Sequence, residues 1–261
     1  MSTVHTYKDQ LSMKGKVSLV TGASSGLGRH FSHVLAAAGA KVIVTARRQE
    51  ALDQVVQEIV SSGGEALAIS MDVNDPAAIK AAFDTAENAF GPVTTLVNNA
   101  GAGGAKRFLD IDEAFWDFAM DTNVKSIWRI SSEFARRAKN AKTGGSIVNI
   151  SSMYGLQVAR GNATYCTSKS AVLTLTQTMA LDLARFGIRT NAICPGHFPS
   201  EMTNEFLSSD IGVQVLDRTP LKRAGDLQEL NVPLLMLASD AGSYINGVSI
   251  PVDGGTSLQG L

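Results

Sequence analysis

Cysteine is nearly absent from this chain: Cys166 and Cys194 are the only two in 261 residues. Two thiols are too few for a disulfide framework and fit a reducing, cytoplasmic compartment. A single cystine between them stays open at this point. An excess of one charge is missing as well, since 23 Lys plus Arg face 24 Asp plus Glu, for a formal net charge of −1. A chain that grips nucleic acid or an anionic membrane by electrostatics carries a basic excess, so neither partner is expected. The apolar runs fall short of the roughly 18 residues a membrane span needs, and the polar start Met1–Gln10 lacks the apolar stretch of a signal peptide. The four histidines, His5, His30, His33 and His197, are scattered and make no ligand cluster, so no metal is expected. Glycine, by contrast, is frequent at 24 copies, and apolar residues make up 44%. That is a globular chain with many tight turns, long enough for one large domain and without a visible seam.

Short β-rich runs alternate with longer helical patterns along almost the whole length. Strands are expected at 16–20, 41–45, 66–70, 95–98, 146–150, 188–193 and 248–251. Helical spacing covers 26–38, 49–60, a segment opened by Asp75-Pro76, one long helix over about 112–138, 162–185 and 226–237. Residues 1–12 read as an irregular arm, and 197–225 as an irregular stretch suited to a substrate lid. The strands are nearly continuous in apolar residues instead of alternating, as when a sheet is buried on both faces. The pattern predicts an α/β protein, a doubly wound parallel sheet of the Rossmann type with helices on each side, in one domain. Such a sheet binds its ligand at the C-terminal ends of its strands. The glycine-rich and polar clusters fall there, after the first, fourth, fifth and sixth strands.

The first cluster, Thr21-Gly22-Ala23-Ser24-Ser25-Gly26-Leu27-Gly28, lies between a strand and a helix. Without Cβ atoms, Gly22, Gly26 and Gly28 allow a tight turn and bring backbone N–H groups and a helix N-terminus to a pyrophosphate. The helix-opening Gly-Lys-Ser/Thr of a nucleotide triphosphatase is missing, because Gly28 is followed by Arg29-His30. The end of the second strand is where a dinucleotide fold reads the adenosine ribose. A carboxylate there would repel a 2′-phosphate. This chain has Arg47-Arg48 instead, whose guanidinium forks suit a phosphate and which the adjoining helix dipole would otherwise disfavour. The reading is NADP(H) over NAD(H), with NAD(H) retained as the alternative.

Tyr165 and Lys169 stand four apart on one helix and share a face. An ammonium beside a phenol favours the phenolate and is expected to lower the tyrosine pKa. Ser152, thirteen residues before Tyr165 and just past the fifth strand, could donate a hydrogen bond to the same carbonyl oxygen.

With these motifs in order, residues 13–255 resemble the short-chain dehydrogenase/reductase family in its simple form. The resemblance rests on Thr21–Gly28, Asp72-Val73, Asn98-Asn99-Ala100-Gly101, Asn123, Ser152, Tyr165, Lys169 and Pro195-Gly196. It implies a cofactor site that includes Ser24, Ser25, Leu27, Asp72 and Val73 at the adenine, and Pro195, Gly196, Phe198 and Ser200 toward the nicotinamide. Serine at 200 stands where the family often has threonine and keeps the hydroxyl. It further implies that Tyr165 is the general acid and base, that Ser152 positions the carbonyl, and that Lys169 bonds the nicotinamide ribose. Asn123 would hold the water of a proton relay. Hydride moves between cofactor and a ketone or secondary alcohol without a metal, and related enzymes form homotetramers. The alternatives are an NAD-dependent alcohol, polyol or sugar-acid dehydrogenase and, from another class, a non-catalytic cofactor-binding regulator. Substrate choice is expected from 102–107, 153–161 and 197–221, with His197 near the substrate mouth and Met202, Phe206, Leu207 and Leu216 as lid residues.

Overall fold

Seven parallel strands form one sheet in the computed structural model, which describes residues 6–201 and 203–258. The elements run α1 (Tyr7–Gln10), β1 (Val17–Thr21), α2 (Gly26–Ala37), β2 (Lys41–Ala46), α3 (Gln49–Ser61), β3 (Glu65–Ser70) and α4 (Pro76–Phe90). They continue with β4 (Thr95–Asn98), α5 (Glu113–Met120), α6 (Ser126–Ala141), β5 (Gly145–Ile150), α7 (Ala163–Leu183) and β6 (Ile188–Pro195). The last are α8 (Asn204–Leu207), α9 (Asp210–Arg218), α10 (Asn231–Ala238) and β7 (Ser249–Val252). The spatial order is β3-β2-β1-β4-β5-β6-β7, so the chain winds outward one way, returns, and winds the other way. The reversal opens a crevice at the C-terminal ends of β1 and β4.

Successive residues of the five inner strands feed opposite faces, and both are buried, while the edge strands β3 and β7 are only partly covered. Val20, Val44, Val97 and Val148 pack with Phe31 and Leu35 of α2, Leu52 and Val55 of α3 and Leu234 of α10. Leu19, Ile43, Leu96 and Ile147 pack on the other side with Ile79 and Phe83 of α4 and Ile130 and Phe134 of α6. Each such side chain contributes about 1.5–3 kcal/mol by leaving water. The helix starts follow local chemistry: Asp75 caps α4 through the Ala77 N–H at 2.8 Å, with Pro76 at the first position.

Three expectations are corrected. Residues 6–12 of the arm are not wholly irregular, because Thr6 and Asp9 form a reciprocal capping box that closes the turn α1; residues 1–5 lie outside the described residues. The expected helix over 112–138 is two helices joined by a π segment, Asp121–Lys125. Its widened turn carries Asn123, whose side chain is held outside the helix. The stretch 197–225 contains α8 and α9; Ser209 caps α9 through the Gly212 N–H at 3.1 Å, a signal hidden by the Gly212 and valine interruptions of the helical pattern. Both cysteines are free and buried. Among the described residues no helix is long and apolar enough to cross a membrane.

Candidate active site

Thr21, the last residue of β1, stitches the crevice together. Its hydroxyl accepts from the Asn99 and Ala100 N–H groups, both at 3.0 Å. Asn99 returns the contact by donating its amide to the Thr21 and Gly22 carbonyls at 3.0 and 3.2 Å. Gly22 is in the left-handed region at φ +64°, and a Cβ there would sit 2.9 Å from Ala100 Cα. A Cβ on Gly28 would lie 2.3 Å from the Gly22 carbonyl oxygen. Ser25, at the N-cap of α2, makes no capping bond with its side chain. The first N–H groups of the helix are thus left without a side-chain cap, as an anion-binding turn requires. The turn fits a dinucleotide phosphate.

Of the two arginines after β2, Arg48 is the one that leans over this turn. Its Nη2 donates to Ser24 Oγ at 3.2 Å, Ser25 Oγ at 3.3 Å and Glu201 Oε2 at 3.1 Å. Arg47 is exposed, and its carbonyl accepts from Ser70 Oγ at 3.3 Å. Asp72 and Val73 follow β3, with the Asp72 carboxylate accepting from the Asn74 N–H at 2.9 Å.

The proton-transfer candidates converge. Ser152, buried beyond β5, stands beside the Tyr165 hydroxyl, and its Oγ accepts from the Tyr154 N–H at 3.1 Å. Lys169 is buried; its Nζ donates to the Ile150 carbonyl at 2.9 Å and lies 5.7 Å from the Tyr165 ring centre. Burial raises the Tyr165 pKa above its ordinary value, against the lowering effect of Ser152. This differs from the lowering expected from the Tyr/Lys spacing, because the phenol is desolvated. Lys169 falls from 10.5 to about 8, again through burial.

Asn123 is wholly buried and fully bonded. Its amide donates to the Ala102 carbonyl at 2.9 Å and Ser168 Oγ at 3.0 Å, and its Oδ1 accepts from the Ala102 N–H at 2.7 Å. A Cβ on Gly101 would lie 3.3 Å from that Oδ1 and 3.5 Å from Lys169 Nζ, so Gly101, Asn123 and Lys169 meet at one point.

Beyond β6, Gly196 packs so closely on Asp253 that a Cβ would come within 2.6 Å of the Asp253 Cα. Phe198 turns its ring into the core, where it fills the space beside Gly225. Ser200 exchanges a hydrogen bond with Thr203 at 2.9 Å. A row of rings runs from the centre to the lid: Tyr165–Tyr154 at 6.3 Å, Tyr154–His197 at 6.4 Å and His197–Phe206 at 5.8 Å. His197 Nε2 is buried and has no hydrogen-bond partner among the described residues; burial lowers its pKa, which favours the neutral ring. A cavity of about 470 Å³ borders His197, Phe198, Leu221, Arg223 and Asp253. Met153 is buried and Met202 lies outside the described residues. Sequence reading missed Glu201, Tyr154 as a ring contact, and Ser168; nothing in their spacing marks them.

A family model described as enoyl-(acyl carrier protein) reductase matches residues 22–257. A solved short-chain type dehydrogenase/reductase from Mycobacterium marinum is 35% identical, with a TM-score of 0.92 over 96% of this chain and 99% of that one. The chain belongs to the short-chain dehydrogenase/reductase family. Within the family it is 34% identical to the 3-oxoacyl-(acyl-carrier-protein) reductase FabG of Escherichia coli, across 94% of this chain and 98% of the relative. A gluconate 5-dehydrogenase from Burkholderia cenocepacia, solved in complex with NADP and tartrate, is 29% identical with a TM-score of 0.93, covering 98% and 100% of the two chains. Like these short-chain dehydrogenases, the chain is an NAD(P)-dependent oxidoreductase acting on carbonyl or alcohol groups.

Proposed function

We propose that this enzyme interconverts a ketone and a secondary alcohol with NADP(H), with Tyr165 exchanging the proton. The observation that carries the reading is the meeting of Ser152, Tyr165 and Lys169 beside a glycine turn over which Arg48 leans. The cofactor supplies or accepts the hydride when bound. Residues 24–28 hold its phosphates, Arg48 with Arg47 beside it meets the 2′-phosphate, and Asp72 and Val73 flank the adenine. Asn99, Ala100 and Gly101 line the crevice wall, and Lys169, Pro195, Gly196 and Ser200 serve the nicotinamide end. Phe198 contributes only through its backbone, since its ring is in the core. In reduction the protonated phenol of Tyr165 donates to the substrate oxygen, which Ser152 also holds; in oxidation the phenolate accepts the proton. Asn123 acts through its three bonds, which fix the 101–102 loop against α7.

The chain works as one catalytic domain, with 197–225 as the substrate lid. Tyr154, His197 and Phe206 make an aromatic wall with one orphaned nitrogen, which suits a substrate bearing an additional hydroxyl or carbonyl group. The B. cenocepacia relative with bound NADP supports the cofactor choice. Free cysteines support a cytoplasmic setting. Exposed Trp116 and Phe118 on α5, Trp128 on α6, Leu181 on α7 and Tyr244 support a homotetramer paired through these helices. A panel of ketones and alcohols, followed by nicotinamide absorbance with NADPH and NADH in parallel, tests the reading. Turnover with no member of the panel, or with NADH alone, would overturn it. A light-scattering mass near one chain would sink the tetramer.

A further inference from the structure

The carboxylate of Glu201 sits among the groups that a cofactor phosphate needs. Arg48 Nη2 donates to it at 3.1 Å while also reaching Ser24 and Ser25. Ser25, whose side chain does not cap α2, stands beside the same carboxylate and lowers its pKa. The backbone brings the two sides together: a Cβ on Gly26 would meet Ser200 Cβ at 3.2 Å, so the loop after β6 lies directly across the glycine turn. Ser25 and the Arg48 guanidinium hold the Glu201 carboxyl below its ordinary range, and it is anionic at neutral pH.

We propose that Glu201 is a cofactor-specificity residue, an internal anion that occupies Arg48 and competes with the 2′-phosphate of NADP(H) for it. The proposal rests on the reading above that Arg48 meets that phosphate. A bare 2′-hydroxyl makes no claim on Arg48, so the ion pair persists when NAD(H) is bound. A 2′-phosphate must draw Arg48 away from Glu201 and tolerate a like charge beside it. The exchange is feasible because the pair is largely exposed, with side chains 58% and 65% accessible, and exposed pairs are weak. A phosphate offers Arg48 a stronger, charge-assisted partner. Arg48 thus selects for NADP(H), and Glu201 moderates that selection.

The test measures binding without turnover. NADPH and NADH affinities are titrated by calorimetry for wild type, Glu201→Gln and Arg48→Gln, with 2′,5′-ADP and 5′-ADP as cofactor fragments. Glu201→Gln is expected to tighten NADPH and 2′,5′-ADP by about two- to fivefold, as for loss of one exposed charge interaction, and to leave NADH and 5′-ADP unchanged. The gain should shrink in molar salt, where the screening length is about 3 Å. Arg48→Gln should weaken NADPH and leave NADH alone. If Arg48→Gln leaves NADPH binding intact, the assignment of Arg48 to the 2′-phosphate fails and the proposal falls with it. If Arg48→Gln weakens NADPH but Glu201→Gln shifts neither cofactor, or shifts both equally, the reading of Arg48 stands and Glu201 is no competitor.

Discussion

Lys169 Nζ is tied to the carbonyl of Ile150 at 2.9 Å, so the helix α7 is pinned to the end of β5 by the same ammonium that faces Tyr165. That bond fixes where the ammonium sits, and burial decides when it exists. Lys169 loses its charge near pH 8. Carbonyl reduction should therefore hold steady below pH 8 and fall above it, as the ammonium that steadies Tyr165 is lost. Stability should move the other way. The folded pKa of about 8 lies below the ordinary 10.5, so the cost of burying the charge is present below pH 8 and fades between those values. A rate that stays flat to pH 10, measured beside thermal unfolding at each pH, would remove Lys169 from the reaction.

Tyr165→Phe keeps the ring and its contact with Tyr154 and deletes the hydroxyl beside Ser152. General acid–base groups contribute about 10²–10⁴-fold, so turnover should fall by at least about a hundredfold. NADPH binding, followed by fluorescence, should stay within about threefold. Lys169→Ala should damage both. Retained turnover in the phenylalanine variant would end the proposed mechanism.

Arg48→Asp should lower kcat/KM for NADPH relative to NADH by about tenfold or more, the loss of a charged hydrogen bond worth about 1.5–3 kcal/mol. Arg47→Asp should change the ratio in the same direction but less, since Arg47 does not reach over the turn. Steady-state kinetics with both cofactors rank the two. Equal effects would mean that both forks meet the phosphate.

Gly28→Ala places a methyl group 2.3 Å from the Gly22 carbonyl oxygen, a backbone atom that cannot swing aside. Overpacking of this kind costs about 1–3 kcal/mol and should displace the turn. The expected outcome is a lower Tm together with loss of NADPH binding. Gly63→Ala serves as the contrast: its φ of +84° is strained, but no atom lies within 4 Å, so it should lower Tm without touching cofactor affinity. A Gly28 variant that binds NADPH normally would show that the close approach is dispensable.

Much of this site was legible in the chain because its parts are local. Gly22, Gly26 and Gly28 encode a turn by themselves, and Tyr165 with Lys169 share a helix face by spacing. The parallel sheet covered on both faces also followed from runs of apolar residues too continuous for a half-exposed sheet. The π segment at 121–125 was not legible: helical spacing over 112–138 is unbroken, and the extra residue is held by Asn123's bonds to Ala102 and Ser168, 21 and 45 residues away. The direction of the Tyr165 shift was not legible for a related reason. Spacing announces a neighbouring ammonium, whereas desolvation is a property of everything packed around the phenol.

The sequence by itself determined the parallel α/β sheet, the place of the glycine turn after its first strand, and the helix face that Tyr165 and Lys169 share. These depend on periodicity and on residue type, which act over a few positions. Only the tertiary structure decided that Arg48 rather than Arg47 leans over the turn, that Glu201 meets it from the loop beyond β6, and that Phe198 belongs to the core. The reason is distance along the chain. Arg48 and Glu201 are 153 residues apart, and no local preference can specify a contact that exists only after seven strands have been laid side by side.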